Sequence, residues 1–139
     1  MAFRVTSYEH VGIRVTDRDV ARKFYELLGW EEVIDLPKYH ANEMRNADGV
    51  YINLIFNGAK RPDDRNILQD EPIKWPGVTH AAFVVEDMDD LLLKLERNGI
   101  AISEGPVIYS NRRRVVFLRD PDGNVLEFNE LLRPSVSAR

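Results

Sequence analysis

Tyr8-Glu9-His10-Val11-Gly12-Ile13-Arg14-Val15-Thr16-Asp17 returns, at an offset of 70, as Val78-Thr79-His80-Ala81-Ala82-Phe83-Val84-Val85-Glu86-Asp87, with His on His and Asp on Asp. A repeat of this kind decides the architecture before any single element is assigned. The same offset carries Gly29, which closes the helical stretch 19–28, onto Gly99, which closes 88–98. Asp48-Gly49-Val50-Tyr51-Ile52-Asn53 then matches Asp122-Gly123-Asn124-Val125-Leu126-Glu127 at an offset of 74, so Asn53 stands where Glu127 stands. His, Asp, Gly and the Asp-Gly turn recurring in order outweigh chance similarity between two strand–helix units.

Periodicity orders the elements within each copy. Val11, Ile13 and Val15 alternate with His10, Gly12 and Arg14, the pattern of a half-buried strand. A helix follows over 19–28, capped by Asp17 or Asp19, with Val20, Phe24, Leu27 and Leu28 as its apolar stripe and Gly29 past its end. Strands are predicted at 30–36, 40–45 and 50–56, the last entered through an Asn46-Ala47-Asp48-Gly49 turn. The second copy predicts a strand at 81–86, a helix at 88–97, and strands at 107–109, 113–119 and 125–130, with the turn Asp120-Pro121-Asp122-Gly123. The expectation is an α+β protein: two βαβββ modules, 6–58 and 78–132, in pseudo-twofold pairing within one compact domain, their mixed sheets curving around a cleft. Residues 59–77, with Pro62, Pro72 and Pro76, read as linker, and 133–139 as a loose tail.

Composition narrows the function classes. A chain of 139 residues, 44% of them hydrophobic, buries roughly two-thirds of its unfolded surface and needs no disulfide or structural metal to hold its core. The absence of Cys excludes disulfide scaffolds, thiolate nucleophiles and thiolate-held metal centres. No stretch approaches the ~18–20 apolar residues of a membrane span, and the start lacks the apolar run of a secretory signal, so a soluble cytoplasmic protein without membrane partners is expected. A net charge of −4 has the wrong sign for nucleic-acid binding. The one basic cluster, Arg112-Arg113-Arg114, reads as a solvated strand edge.

Alternation along a strand also sorts the polar groups. If Val11, Ile13 and Val15 face the helix, then His10, Gly12 and Arg14 face away from it; in the last strand Leu126 and Phe128 take the helix side, leaving Val125, Glu127 and Asn129 opposite. A pseudo-twofold pairing would gather His10, His80 and Glu127 in one cleft, with Asn53 at the fourth related place. Two imidazoles and a carboxylate suit a divalent cation and leave coordination positions for substrate. Taken singly each residue has an ordinary explanation as a hydrogen-bonded or exposed strand residue; it is the equivalence by repeat that joins them. His40 has no counterpart and reads as a substrate-side or surface residue.

At these residues the sequence resembles the vicinal oxygen chelate superfamily, which includes glyoxalases, bleomycin-resistance proteins, fosfomycin-resistance transferases, epimerases and extradiol dioxygenases. The resemblance runs from about Tyr8 to Leu131 and rests on His10-Val-Gly-Ile-Arg-Val-Thr-Asp17, Phe24-Tyr-Glu-Leu-Leu-Gly-Trp30, His80-Ala-Ala-Phe-Val-Val-Glu-Asp87 and Phe117-Leu-Arg-Asp-Pro-Asp-Gly-Asn-Val-Leu-Glu-Phe128. It implies one divalent ion (Fe, Ni, Zn, Mn or Co) on His10, His80 and Glu127. It also implies a small substrate that chelates the ion through neighbouring oxygens, and a homodimer. Under a glyoxalase-like lyase or isomerase reading, Glu127 moves a proton between adjacent carbons, and Arg14, Tyr51, Tyr109 and His40 contact substrate. Asn53 departs from the Glu or Gln of glyoxalases and epimerases; its amide oxygen can coordinate but cannot abstract a proton. Three ligands are what the extradiol dioxygenases, the alternative reading with iron(II), and the fosfomycin transferases use, but the sequence supports neither well: Phe117 stands at the place of the extradiol enzymes' Tyr, with Tyr109 nearby in sequence, and Gly12 replaces the hydroxyl residue of the fosfomycin transferases. A metal-free binding protein of the bleomycin-resistance kind is the remaining alternative.

Overall fold

The computed structural model describes residues 2–63 and 65–133. The chain divides into two compact units between Pro62 and Asp63. Of the stretch expected as linker, 63–77 therefore belongs with the second unit. The predicted tail, apart from Arg133, lies outside the described residues.

The first unit runs β1 (His10–Arg14), α1 (Arg18–Leu27), β2 (Glu31–Leu36), a short 3-10 turn (Pro37–Tyr39), β3 (Ala41–Arg45) and β4 (Tyr51–Ile55), and its four strands form one mixed sheet in the order β1-β4-β3-β2. The second unit runs β5 (His80–Val84), α2 (Met88–Arg97), β6 (Ile102–Tyr109), β7 (Arg113–Arg119) and β8 (Val125–Leu131), in the equivalent order β5-β8-β7-β6. Each unit is thus the βαβββ module the repeat predicts. In both, the first strand lies parallel to the last, because the intervening helix and hairpin carry the chain back across the sheet.

Both helices start on an Asp. Asp17 accepts from the Val20 amide, and Asp87 from the amides of Asp89 and Asp90, satisfying N–H groups that have no partner inside the helix. Glu130 of β8 takes a further amide, that of Met88. In α1 the buried side chains are Ala21 and Tyr25, whereas Val20, expected in the apolar stripe, is 49% exposed. The helix begins one residue earlier than the apolar pattern suggests and turns Val20 outward. Ile13, Met44, Ile52, Leu54 and Trp30 complete the buried side of the first unit; Met88, Leu95, Val116, Leu118, Leu126 and Phe128 do so in the second.

The two Asp-Gly turns are built alike. Asn46 Oδ1 accepts from the amides of Asp48 and Val50, and Asp120 Oδ1 from those of Asp122 and Asn124. Gly49 and Gly123 close each turn at φ 76° and 80°, a conformation that favours glycine, with their amides bonded to the Asn46 and Asp120 carbonyls. These clasps fix where β4 and β8 begin. The segment 65–70 is tied to the same end of the second unit: Asn66 Nδ2 donates to the Gly123 carbonyl, and Arg119 Nη1 and Nη2 both donate to Asp70 at 2.8 Å. That guanidinium, with the Asn66 amide, holds the Asp70 carboxyl well below the usual carboxylate range.

Candidate metal-binding half-sites

The parallel ladders place the candidate ligands in equivalent positions. His10 pairs with Tyr51 and Gly12 with Asn53; His80 pairs with Val125 and Ala82 with Glu127. Residues paired across a ladder share a face, so one His and one oxygen donor, diagonal to each other, lie on the same side of each sheet. Asn53 and Glu127 are equivalent in three dimensions as well as in sequence.

In the second unit the two groups meet. His80 Nε2 lies 3.4 Å from Glu127 Oε1. This is long for a hydrogen bond, but it is the spacing of two donors each about 2.1 Å from one divalent ion, roughly 3.0–3.4 Å at octahedral to tetrahedral angles. Glu127 is 6% exposed, and its other oxygen, Oε2, accepts from Asn129 Nδ2 at 2.7 Å and Arg113 Nη1 at 3.3 Å. The carboxylate is thereby oriented with Oε1 toward the imidazole. On the far side of the ring, Thr79 Oγ1 is 2.8 Å from His80 Nδ1, and Phe117 packs edge-on at 5.7 Å between ring centroids.

The first unit repeats the second-nitrogen arrangement. Glu9 Oε1 lies 2.6 Å from His10 Nδ1, and a neutral imidazole donating from Nδ1 to that oxygen carries its lone pair on Nε2. In both copies, then, the residue just before the His engages Nδ1. Asn53 Oδ1 is buried and has no hydrogen-bond partner among the described residues. An orphaned amide oxygen on the site face is costly unless a ligand uses it. Together these features fit a divalent cation: neutral nitrogen donors, an oriented carboxylate and an unspent oxygen.

The other predicted residues are distributed as follows. Arg14 shares the His10 face, and its Nε donates to Asn57 Oδ1 at 3.0 Å. Tyr51 lies beside His10 in the ladder, with the Arg45 guanidinium 6.0 Å from its ring. His40 occupies the left-handed position that closes the 3-10 turn, exposed, between β2 and β3. Tyr109 ends β6, with the Arg113 guanidinium 5.5 Å from its ring. Among the described residues no three His, Asp or Glu side chains gather closely enough to hold a metal ion: His80 and Glu127 come together, and His10 belongs to the other unit. Sequence reading passed over Glu9, Thr79 and Arg113, and placed Asn129 on the Glu127 face without giving it a role. For the first two the signal was adjacency to the histidines; for Asn129 it was its place two residues beyond Glu127 on one strand; for Arg113 it required the register of β7 against β8.

The sequence model of the Glyoxalase/Bleomycin resistance protein/Dioxygenase superfamily matches residues 7–128, and the chain belongs to that superfamily. It is similar to Virulence protein STM3117 of Salmonella typhimurium, 26% identical over 129 residues that span 88% of this chain and 82% of that protein. Similarity to the uncharacterized protein YaeR of Escherichia coli K12 is of the same order, 26% over 125 residues, 87% of this chain and 93% of YaeR. Among solved structures, a glyoxalase/dioxygenase from Nostoc punctiforme shares the fold with a TM-score of 0.70 at 22% identity, covering 96% of this chain and 100% of its own. Among the described residues no helix is long and apolar enough to cross a membrane.

Proposed function

We propose that the chain is a divalent-metal-dependent enzyme acting on a small molecule that chelates the ion through neighbouring oxygens, by a glyoxalase-like lyase or isomerase reaction. The ligands are His80, Glu127 and His10, the last from this chain or from a second copy in a homodimer, with Asn53 as a further oxygen donor. The observation that carries this reading is the 3.4 Å approach of His80 Nε2 to Glu127 Oε1, each side chain held from behind. A bound ion supplies Lewis-acid polarisation of substrate oxygens.

The remaining work falls to the chain. The Thr79 hydroxyl both donates and accepts, so it serves either tautomer of His80 and lets Nε2 turn from proton donor to lone-pair donor. Phe117 keeps water from one edge of that ring. Glu127, by leaving the ion, would be the base that takes a proton from the carbon next to a substrate carbonyl and returns it to the neighbouring carbon, a role worth ~10²–10⁴-fold when the base is well placed. Asn53 has no basic oxygen, so the proton travels through one carboxylate rather than between two.

One observation favours a second reading, iron(II)-dependent ring cleavage: the two donors on Glu127 Oε2 suit a carboxylate that stays on the ion rather than one that leaves it. Metal analysis of protein purified without chelator is the first test. Stoichiometric metal that is lost in H80A and E127A is expected; wild-type protein that takes up no added nickel, zinc, manganese or iron(II) overturns both readings and favours the metal-free binding protein. Anaerobic turnover of a hemithioacetal then supports the isomerase, and oxygen consumption with a catechol the dioxygenase.

A further inference from the structure

Arg113 and Arg114 are neighbours in sequence and opposites in the sheet. Arg114 turns toward α2, where its Nη1 donates to Asp89 at 2.8 Å. Arg113 turns to the face that carries Glu127. Its Nη1 donates to Asn129 Oδ1 at 2.7 Å and to Glu127 Oε2 at 3.3 Å, and its guanidinium carbon lies over the Tyr109 ring, 5.5 Å from the centroid. A guanidinium has five N–H donors in a rigid fork. Those on Nε and Nη2 have no partner among the described residues, and the side chain is 37% exposed.

We propose that Arg113 recognises a carboxylate on the substrate, which would make the substrate a small organic acid with a hydroxyl or carbonyl oxygen next to its acid group. This inference rests on the metal-dependent reading above and names the substrate class for that same site. The unspent donors can form the two parallel N–H···O bonds by which Arg binds carboxylates, and the Tyr109 ring, 5.5 Å from the guanidinium carbon, offers it a cation–π contact. Charge points the same way. Arg113 already offsets Glu127, so a divalent ion held by neutral imidazoles and that one carboxylate leaves the face with surplus positive charge, which an anionic ligand neutralises. The strong contact of Nη1 is to Asn129, not Glu127, and Asn129 itself holds Glu127 at 2.7 Å, so the carboxylate keeps an orienting partner when Arg113 is replaced.

The test compares wild type, R113M and R113K by calorimetric titration with oxalate and with neutral hydroxyacetone, each protein first loaded with nickel(II) and its metal content measured. R113Q takes the place of R113M if the latter fails to fold by circular dichroism. Oxalate binding weakened about ten- to a hundredfold in R113M, partly recovered in R113K, with hydroxyacetone unchanged, is the expected result. Oxalate affinity within about twofold of wild type overturns the proposal. So does equal weakening of both ligands, or loss of the metal itself, either of which makes Arg113 a positioning residue for Glu127. Wild type that holds no nickel defeats the metal reading alone; the oxalate comparison on metal-free protein then judges Arg113, and equal affinity or no binding overturns its assignment.

Discussion

A histidine binds a cation only through a nitrogen whose lone pair is kept available, so what engages the other nitrogen governs affinity. Under the proposed metal-dependent reading Thr79 and Glu9, which contact the Nδ1 atoms of His80 and His10, would have that role. Replacing Thr79 by Val leaves His80 Nδ1 without its partner while preserving side-chain shape; metal affinity is expected to fall about tenfold or more, read by competition with a chromophoric chelator. Unchanged affinity would show that the hydroxyl does not orient the ring. The equivalent places of the histidines, Asn53 and Glu127 in their sheets were legible in the sequence because duplication put each opposite a counterpart, a signal that single residues never carry. Arg113 was not. In a run of three arginines, composition says only that the stretch is basic, and which guanidinium faces Glu127 depends on cross-strand register that no local pattern encodes.

Legibility at the level of elements follows the strength of local signals. The helix 88–97 and the strand 113–119 lie at the positions predicted, because an Asp cap, a helical apolar period and a clear alternation agree there. β6 was foreseen only as 107–109, since Gly105-Pro106 reads as a break. The strand instead starts at Ile102 and runs through that pair, taking up the irregularity as register shifts between Ile102 and Val107. Gly105 makes this possible. At φ 91° it occupies a region hostile to other residues, and a Cβ there would lie 2.5 Å from the Val115 carbonyl oxygen. Gly105→Ala is therefore expected to cost about 1–3 kcal/mol or more, seen as a lower urea midpoint with the slope unchanged. A variant as stable as wild type would mean that β6 can shift away from β7 there at little cost.

For the molecule as a whole, two things matter: the seating of segment 65–70 on its own unit, and which copy would supply each proposed ligand. Pro residues and charges made 59–77 look like a tether, and nothing local announced the Asp70–Arg119 fork, whose partners are far apart in sequence. Because Asp70 ionises more readily folded than unfolded, this fork contributes fully above the ordinary Asp value of 3.8 and is lost as pH falls through and below it. The melting-temperature difference between wild type and D70N should be constant near neutrality and shrink below about pH 4; a difference that persists in acid would assign it to packing. A second experiment mixes H10A and E127A chains after co-refolding. If each site takes His10 from one copy and Glu127 from the other, about a quarter of the wild-type metal content returns, since half the dimers are mixed and each regains one site. No recovery would mean that each chain supplies all its own ligands. The clasped turns also bear on how such a molecule can change. Asn53 lies seven residues beyond Asn46, and Glu127 seven beyond Asp120, so each knot works as a zero mark from which the donor is measured off. Lengthening the chain upstream of a knot leaves the donor aimed as before, whereas one extra residue between knot and donor swings it to the opposite side of the sheet. Such a gauge lets the surrounding strands vary while the facing of Asn53 and Glu127 stays fixed.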